Sequence, residues 1–413
     1  MATAEVLKEA VYDSRVIQPT PVRYAVERGG LAVTATPYAA LSQSTNQHSF
    51  QVNVPSQSVW VDRKIDWQST VSLFFRVAID QGVAPQPAAG VFQPVTALGR
   101  DVALAPTPLH SLVNTATANV NDTSVTINTD TVLYEILRLC DYKRNRLSAT
   151  APRMLDKFAY YAYSGASVNS SLTDYLSQTE AAEAPNGAFW NIVFLNPVNS
   201  EVLTGDGNYT FGGTQVFYRN GVPRRTQVGT AEPANYPLAI RFTSTEAVVL
   251  SPFIFANAAE WDTGIFGVNN MTFVFTLKSN IQRVLRNSTQ FGRAIVADSI
   301  AYQGEGFSST RLLVQYITPP LDLPLPTIST VPFLEYPRYP QVIGQSLPGG
   351  SLTENIQSPN IVLPVIPDAL VIYCKKNTYT PQEGEWYLPI KRISLNFDKE
   401  MAYSRHFAVA VAA

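Results

Sequence analysis

Arg311-Leu-Leu-Val-Gln-Tyr-Ile317 stops against Thr318-Pro319-Pro320, and the fold is decided by that run together with the residues from Leu321 to Asp398. The run predicts a β-strand. In Leu321-Asp-Leu-Pro-Leu-Pro-Thr-Ile328, Pro324 and Pro326 each remove a backbone donor, which excludes a helix or a central strand. That segment must be extended and peripheral. Two further strands are predicted, Ala369-Leu-Val-Ile-Tyr-Cys374 after Pro364 and Pro367, and Ile390-Lys-Arg-Ile-Ser-Leu-Asn-Phe397. In the second, Ile390, Ile393, Leu395 and Phe397 favour one face, with a slip at Lys391-Arg392 that suggests a bulge.

The same punctuation extends upstream. Phe50, Val52 and Val54 alternate with polar residues, and from Trp67 to Ile79 one face carries Val71, Leu73, Phe75 and Val77 while Phe74 and Ala78 take the other. Apolar side chains on both faces imply a strand covered on both sides. Residues 81–108, dense in Pro and Gly, predict a long loop, and Leu112–Val120 with Ser124–Ile127 predict a hairpin turning at Asn121-Asp-Thr. One helix is predicted from Thr129 or Asp130, with Val132, Leu133, Ile136, Leu137 and Cys140 on one face. Beyond the Ser-, Ala- and Tyr-rich 147–187 stretch, strands are expected at Phe189–Leu195, Val216–Tyr218, Ala239–Phe242, Ala247–Leu250 and Met271–Leu277, with a Gly-rich turn at 204–213. Residues 1–48, broken by Pro19, Pro21, Gly29, Gly30 and Pro37, read as an N-terminal arm or a disordered terminus.

With those elements in place, the order strand-Thr-Pro-Pro, then an extension ending at Tyr336-Pro-Arg-Tyr339, then Ile366-Pro-Asp-Ala-Leu-Val-Ile-Tyr373 and Leu388-Pro-Ile-Lys-Arg-Ile-Ser-Leu-Asn-Phe-Asp398, resembles the double-jelly-roll major capsid proteins of Polinton-like and adintovirus-like elements. Thr245-Glu-Ala-Val-Val-Leu-Ser-Pro-Phe253 and Gly267-Val-Asn-Asn-Met-Thr-Phe-Val-Phe275 are similar to the junction between the two rolls of that family. The resemblance spans roughly residues 50–398 and implies an all-β chain of two tandem antiparallel jelly-roll sandwiches with one or two short helices. It divides the chain into an arm (1–48), a first roll (49–253) and a second roll (254–413), with Arg311–Ile317 and the later strands repeating the order of Trp67–Ile127. Lys399–Ala413 departs from the family pattern, so the second roll is expected to lack its C-terminal part, which implies unpaired edges, poor solubility and impaired trimerisation.

By the same resemblance the chain is a structural capsid protein. Three copies would make a pseudo-hexameric capsomer of an icosahedral shell, contacting sister subunits, neighbouring capsomers and a minor or penton capsid protein in the virion. The alternative is a jelly-roll module that binds carbohydrate or protein, since fold alone does not decide function.

Composition agrees with burial against partners or with a polar uncharged surface. Charged residues make up 15% of the chain, against about 25% in ordinary soluble proteins. A net charge of −2 provides no general attraction for nucleic acid or anionic membrane, and no apolar run is long enough to span a bilayer as a helix. The N-terminus carries no signal-peptide pattern, which implies synthesis inside the host cell. Cys140 and Cys374 sit in apolar runs and read as buried, reduced thiols. The sequons at Asn121, Asn169, Asn208, Asn270 and Asn287 read as chance.

Nothing points to catalysis, a cofactor or a metal. His48, His110 and His406 are isolated, no nucleophile elbow or phosphate loop occurs, and Gly205-Asp-Gly207 and Gly304-Glu-Gly306 read as turns. Asp62 and Asp66, near Trp60 and Trp67, would share a strand face; they read as solvated carboxylates before a glycosidase pair. Tyr12, Tyr24, Tyr160, Tyr161 and Tyr163 lack interleaved basic residues and read as packing.

Overall fold

The computed structural model describes residues 32–56, 58–80, 82, 93–96, 102–105, 107–130, 192–211, 213–219, 222–225, 235–253, 264–287, 292–319, 331, 333–341, 357–363, 367, 370–374, 381, 390, 392–397 and 400–406. Eight strands carry the architecture: β1 (Ala32–Ala39), β2 (Gln47–Asn53), β3 (Asp66–Ile79), β4 (Val113–Val120), β5 (Thr123–Ile127), β6 (Asn235–Ala247), β7 (Asn270–Leu277) and β8 (Ala301–Thr318). One sheet runs β1-β8-β3-β6 and the other β2-β7-β4-β5, with antiparallel pairing throughout.

The pairs β1·β8, β2·β7, β3·β6 and β4·β5 join first strand to last, second to next-to-last, and so inward. That nesting is what a long folded-back ribbon produces when it rolls up, and it defines a jelly roll. The all-β, antiparallel reading is borne out.

Period-two alternation explains why the two sheets close on each other. Val71, Leu73, Phe75 and Val77 of β3, with Ile240 and Phe242 of β6 and Leu312, Val314 and Tyr316 of β8, are all buried. Phe50 and Val52 of β2, Met271, Phe273 and Phe275 of β7, Ala116 and Ala118 of β4, and Val125 and Ile127 of β5 are buried in the same cluster. Each buried large side chain of this kind contributes about 1.5–3 kcal/mol by leaving water.

The expected division at 253 is corrected by this pairing. Residues 270–277 and 301–318 are the seventh and eighth strands of the same roll, so Arg311–Ile317 closes the first sandwich rather than opening a second. The expected repeat of Trp67–Ile127 by Arg311–Phe397 falls with it. The arm is shorter than 1–48 too, because Ala32–Ala39 pairs along its length with β8 and the strand Gln47–Asn53 begins within it. Pro37 had argued against a strand there, yet β1 lies at the sheet edge, where a missing N–H costs no ladder bond. Residues 1–31 and 131–191, with most of the predicted helix, lie outside the described residues.

Smaller elements fit around the roll. The hairpin turn at Asn121 is as expected, with Asn121 at φ 52°, and a one-turn helix α1 (Pro108–Ser111) precedes β4. Within the expected 204–213 turn, Gly207–Phe211 is a strand that turns at Gly213, φ 84°, and joins Thr214–Arg219, Val222–Arg225 and Gln93–Pro94 in a separate sheet. Arg392–Phe397 is a strand as predicted, paired with Glu400–His406 with a register shift between Leu395 and Asn396, while Lys391, where the sequence suggests a bulge, lies outside the described residues. Residues 370–374 of the predicted Ala369–Cys374 strand belong to no strand, and Leu370, Val371 and Ile372 are exposed. Their β-prone composition has no partner edge among the described residues, and pairing rather than propensity makes a strand.

β8 is interrupted where its register against β3 shifts twice, between Tyr302 and Phe307 and between Ser308 and Arg311. Gly304, Gly306 and Ser309 there take φ values of 60°, 78° and 53°. A Cβ at Gly306 would stand 3.0 Å from Thr45 Cγ2 and 3.1 Å from Tyr302 Cβ. Gly306→Ala is therefore expected to lower stability by about 1–3 kcal/mol. Thermal unfolding measures it, and an unchanged Tm would mean that the bulge relaxes freely.

Candidate functional site

Period-two reading places two polar residues on inner faces. Glu246 follows Phe242 and Ser244 along β6, and His48 precedes Phe50 and Val52 along β2; all six are buried.

Glu246 is fully partnered. Its Oε1 accepts from the Leu109 N–H at 2.7 Å and the Ser244 hydroxyl at 3.0 Å, and its Oε2 accepts from the His110 N–H at 3.0 Å. The His110 ring lies 2.7 Å from the same Oε2 through Nδ1, while Nε2 faces the Val249 N–H at 3.2 Å. Since Nε2 accepts, Nδ1 holds the ring proton and donates to the carboxylate. Four donors offset the burial of one charge, tying α1 to the end of β6. The group has the form of an anchor, with its carboxylate oxygens turned to the protein's own donors.

Trp67 of β3 stands between this anchor and His48. Its indole lies 5.6 Å from the His110 ring and 5.7 Å from the His48 ring, both edge-on, and 4.6 Å from Phe275. His48 also meets Phe307 of β8 edge-on at 4.4 Å. Neither ring nitrogen of His48 has a hydrogen-bond partner, and burial pushes its pKa down from the usual 6.5 to about 4.

The other residues singled out from sequence do not converge. Asp62 lies outside β3, where its Oδ1 accepts from the Lys64 N–H at 3.0 Å, so it shares no strand face with Asp66. Asp66 pairs with Lys64 at 3.6 Å, and burial raises its carboxyl above the usual range, against the pull of Lys64. Among the described residues no three His, Cys, Asp or Glu side chains come together as metal ligands would. Cys374 is a free, half-buried thiol. The Asn121 and Asn287 amides are used internally: Asn121 accepts from the Asn269 N–H, and Asn287, fully buried, accepts from the Ile295 N–H. Cys140, Asn169, Tyr12, Tyr24, Tyr160, Tyr161 and Tyr163 lie outside the described residues.

The outer surface is where apolar groups are unspent. β1 is exposed along much of its length, and its outer edge pairs with no strand among the described residues. Past the roll, Phe333, Leu334, Tyr339, Ile361 and Val362 are exposed, Val362 by 83%. The stretch is attached through Leu334, whose N–H donates to Ser251 Oγ at 2.8 Å, and is tied to itself by the Tyr339 hydroxyl donating to the Val362 carbonyl at 3.4 Å.

Residues 4–317, which take in strands from β1 to β8, match the sequence model of the Sputnik virophage major capsid protein 1st domain. The chain belongs to the Sputnik virophage major capsid protein family. Residues 336–402, past β8, match a second model, the major capsid protein V20 C-terminal domain. The Sputnik virophage protein carrying the capsid-protein name V20 is 24% identical over 372 residues, covering 89% of this chain and 54% of that one. The chain thus spans about half the length of the curated relative it matches.

Two solved structures are similar. A cryo-EM structure of the Sputnik virophage has a TM-score of 0.48 at 21% identity, covering 76% of this chain and 53% of the other. The mavirus major capsid protein has a TM-score of 0.43 at 13% identity, covering 75% and 51%. The family is one of structural proteins, not enzymes. Glu246 and His48 were not foreseen as interior groups, although the sequence held a signal for both: a polar residue in phase with an apolar strand face.

Proposed function

We propose that this chain is a shell-building subunit of a virophage-type capsid. The observation that carries the reading is the complete nested pairing of β1 to β8 inside the stretch matched by the first-domain model. Two lobes per chain would let three copies form a six-cornered capsomer. Capsomers would tile an icosahedral shell, with a minor or penton capsid protein at its special positions, and the assembled virion would be the site of action after synthesis in the host cell. Low charge and the exposed apolar side chains of Phe333, Leu334, Tyr339, Ile361 and Val362 suit surfaces hidden against sister molecules. The finer kinship with Polinton-like and adintovirus-like elements rests on the residues quoted between Arg311 and Asp398.

The carbohydrate-binding alternative requires an exposed aromatic platform. Tyr209 and Phe211 are nearly parallel, with ring centroids 6.2 Å apart, but Phe211 is buried and Tyr209 packs against the core. The test is expression of the 413-residue chain with a minor capsid protein, with light scattering and electron microscopy as readouts. Trimers and ordered capsomer arrays are what the reading requires. A stable monomer that fails to assemble and binds glycans would overturn the reading.

A further inference from the structure

His48 and His110 flank the same indole and are treated differently by the fold. His110 has a carboxylate on one nitrogen and a backbone N–H on the other, whereas His48 has nothing on either. His48 occupies a place in the β2 row that would suit an apolar ring, opposite Phe275 of β7 and wedged against Trp67 and Phe307 of the facing sheet. We propose that His48 is an acid-sensitive weak point of the roll, whose protonation disfavours the closed packing of the two sheets where β2 faces β3 and β8.

The surroundings make the proton unwelcome. β7 contributes Phe275 and β3 contributes Trp67. β8 contributes Phe307 and, behind it at 5.1 Å, Tyr302, whose hydroxyl burial keeps in its neutral form. The short strand Ser42–Gln43 places Gln43 opposite His48. The ionisable groups next along, His110 and Glu246, lie beyond Trp67 and are engaged with each other. Neither ring nitrogen of His48 has a hydrogen-bond partner in the closed roll, so an imidazolium here would bury a charge with its N–H donors unsatisfied, which disfavours the closed sandwich.

The direction is set by linkage. Above pH 6.5 both folded and unfolded chains carry neutral His48, and the roll has its full stability in this respect. Between 6.5 and about 4 the unfolded chain takes the proton while the folded chain refuses it, so stability erodes as pH falls. Below about 4 both hold it and the erosion levels off. The folding constant should drop about 30-fold by pH 5 through this one group. Acid sensitivity is a property of the roll itself, independent of any role in a shell.

The test is urea unfolding of the full chain from about pH 4 to pH 8, for wild type and for His48→Phe. The variant's folding constant is expected to gain about 30-fold on wild type between pH 7.5 and pH 5; parallel curves would overturn the proposal. Where His48→Phe does not fold, His48→Leu takes its place. NMR of wild type decides independently: the His48 ring, assigned through its backbone correlations, should stay neutral at about pH 5, and a ring titrating near its ordinary value of about 6.5 would overturn it.

Discussion

Glu246→Ala is expected to cost about 3–5 kcal/mol, a large part of the stability of a single domain. The carboxylate is the common acceptor for the Leu109 and His110 N–H groups, the Ser244 hydroxyl and His110 Nδ1. Alanine would leave all four donors inside the sandwich without that acceptor, and each orphaned donor costs about 1–3 kcal/mol before the site relaxes. Glu246→Gln separates charge from shape. It keeps one oxygen but turns an NH2 toward groups that themselves donate, so its loss should fall below that of alanine without vanishing. Urea unfolding at neutral pH reads both; a loss under about 1 kcal/mol for alanine would mean that α1 is held by packing alone.

Trp67→Ala is expected to cost about 3–5 kcal/mol through a cavity. Trp67 is fully buried, it touches the rings of His48, His110 and Phe275, and β3 is paired on both sides by β6 and β8, so the backbone has little room to collapse inward. Trp67→Phe should cost clearly less. The indole N–H has no partner, so phenylalanine gives up volume without giving up a hydrogen bond. The same unfolding measurement distinguishes the two, and equal losses for Phe and Ala would point to an interaction of the indole N–H rather than to packing.

Legibility in the sequence tracked how local each decision was. The buried face of β3 could be named residue by residue, Val71, Leu73, Phe75 and Val77, because a strand's side-chain period is set by the backbone itself. The turn at Asn121 was equally local, since it needs only a residue that tolerates positive φ. Glu246 and His48 were harder to see as interior groups. Their phase was visible, but whether a polar side chain on an inner face is partnered depends on α1 and Val249 in one case and Phe307 in the other, brought there by the fold rather than by the neighbouring sequence.

The boundary at 253 was misplaced for the same reason. Pro252 and the strands after it look like a fresh start when read along the chain, while in space β7 and β8 return to pair with β2 and β1. Residues 370–374 show the converse, an apolar run that composition marks as a strand and that finds no edge to join among the described residues.

Composition and periodicity by themselves determined an all-β chain with strands punctuated by proline and glycine, because side-chain alternation and the missing proline N–H act within a few residues. Tertiary structure alone decided which strands share a roll, that β1 and β8 close it, and that one histidine is partnered while another is stranded. Hydrogen-bond pairing between strands at opposite ends of the roll, and burial between its sheets, exist only once the chain has folded back on itself.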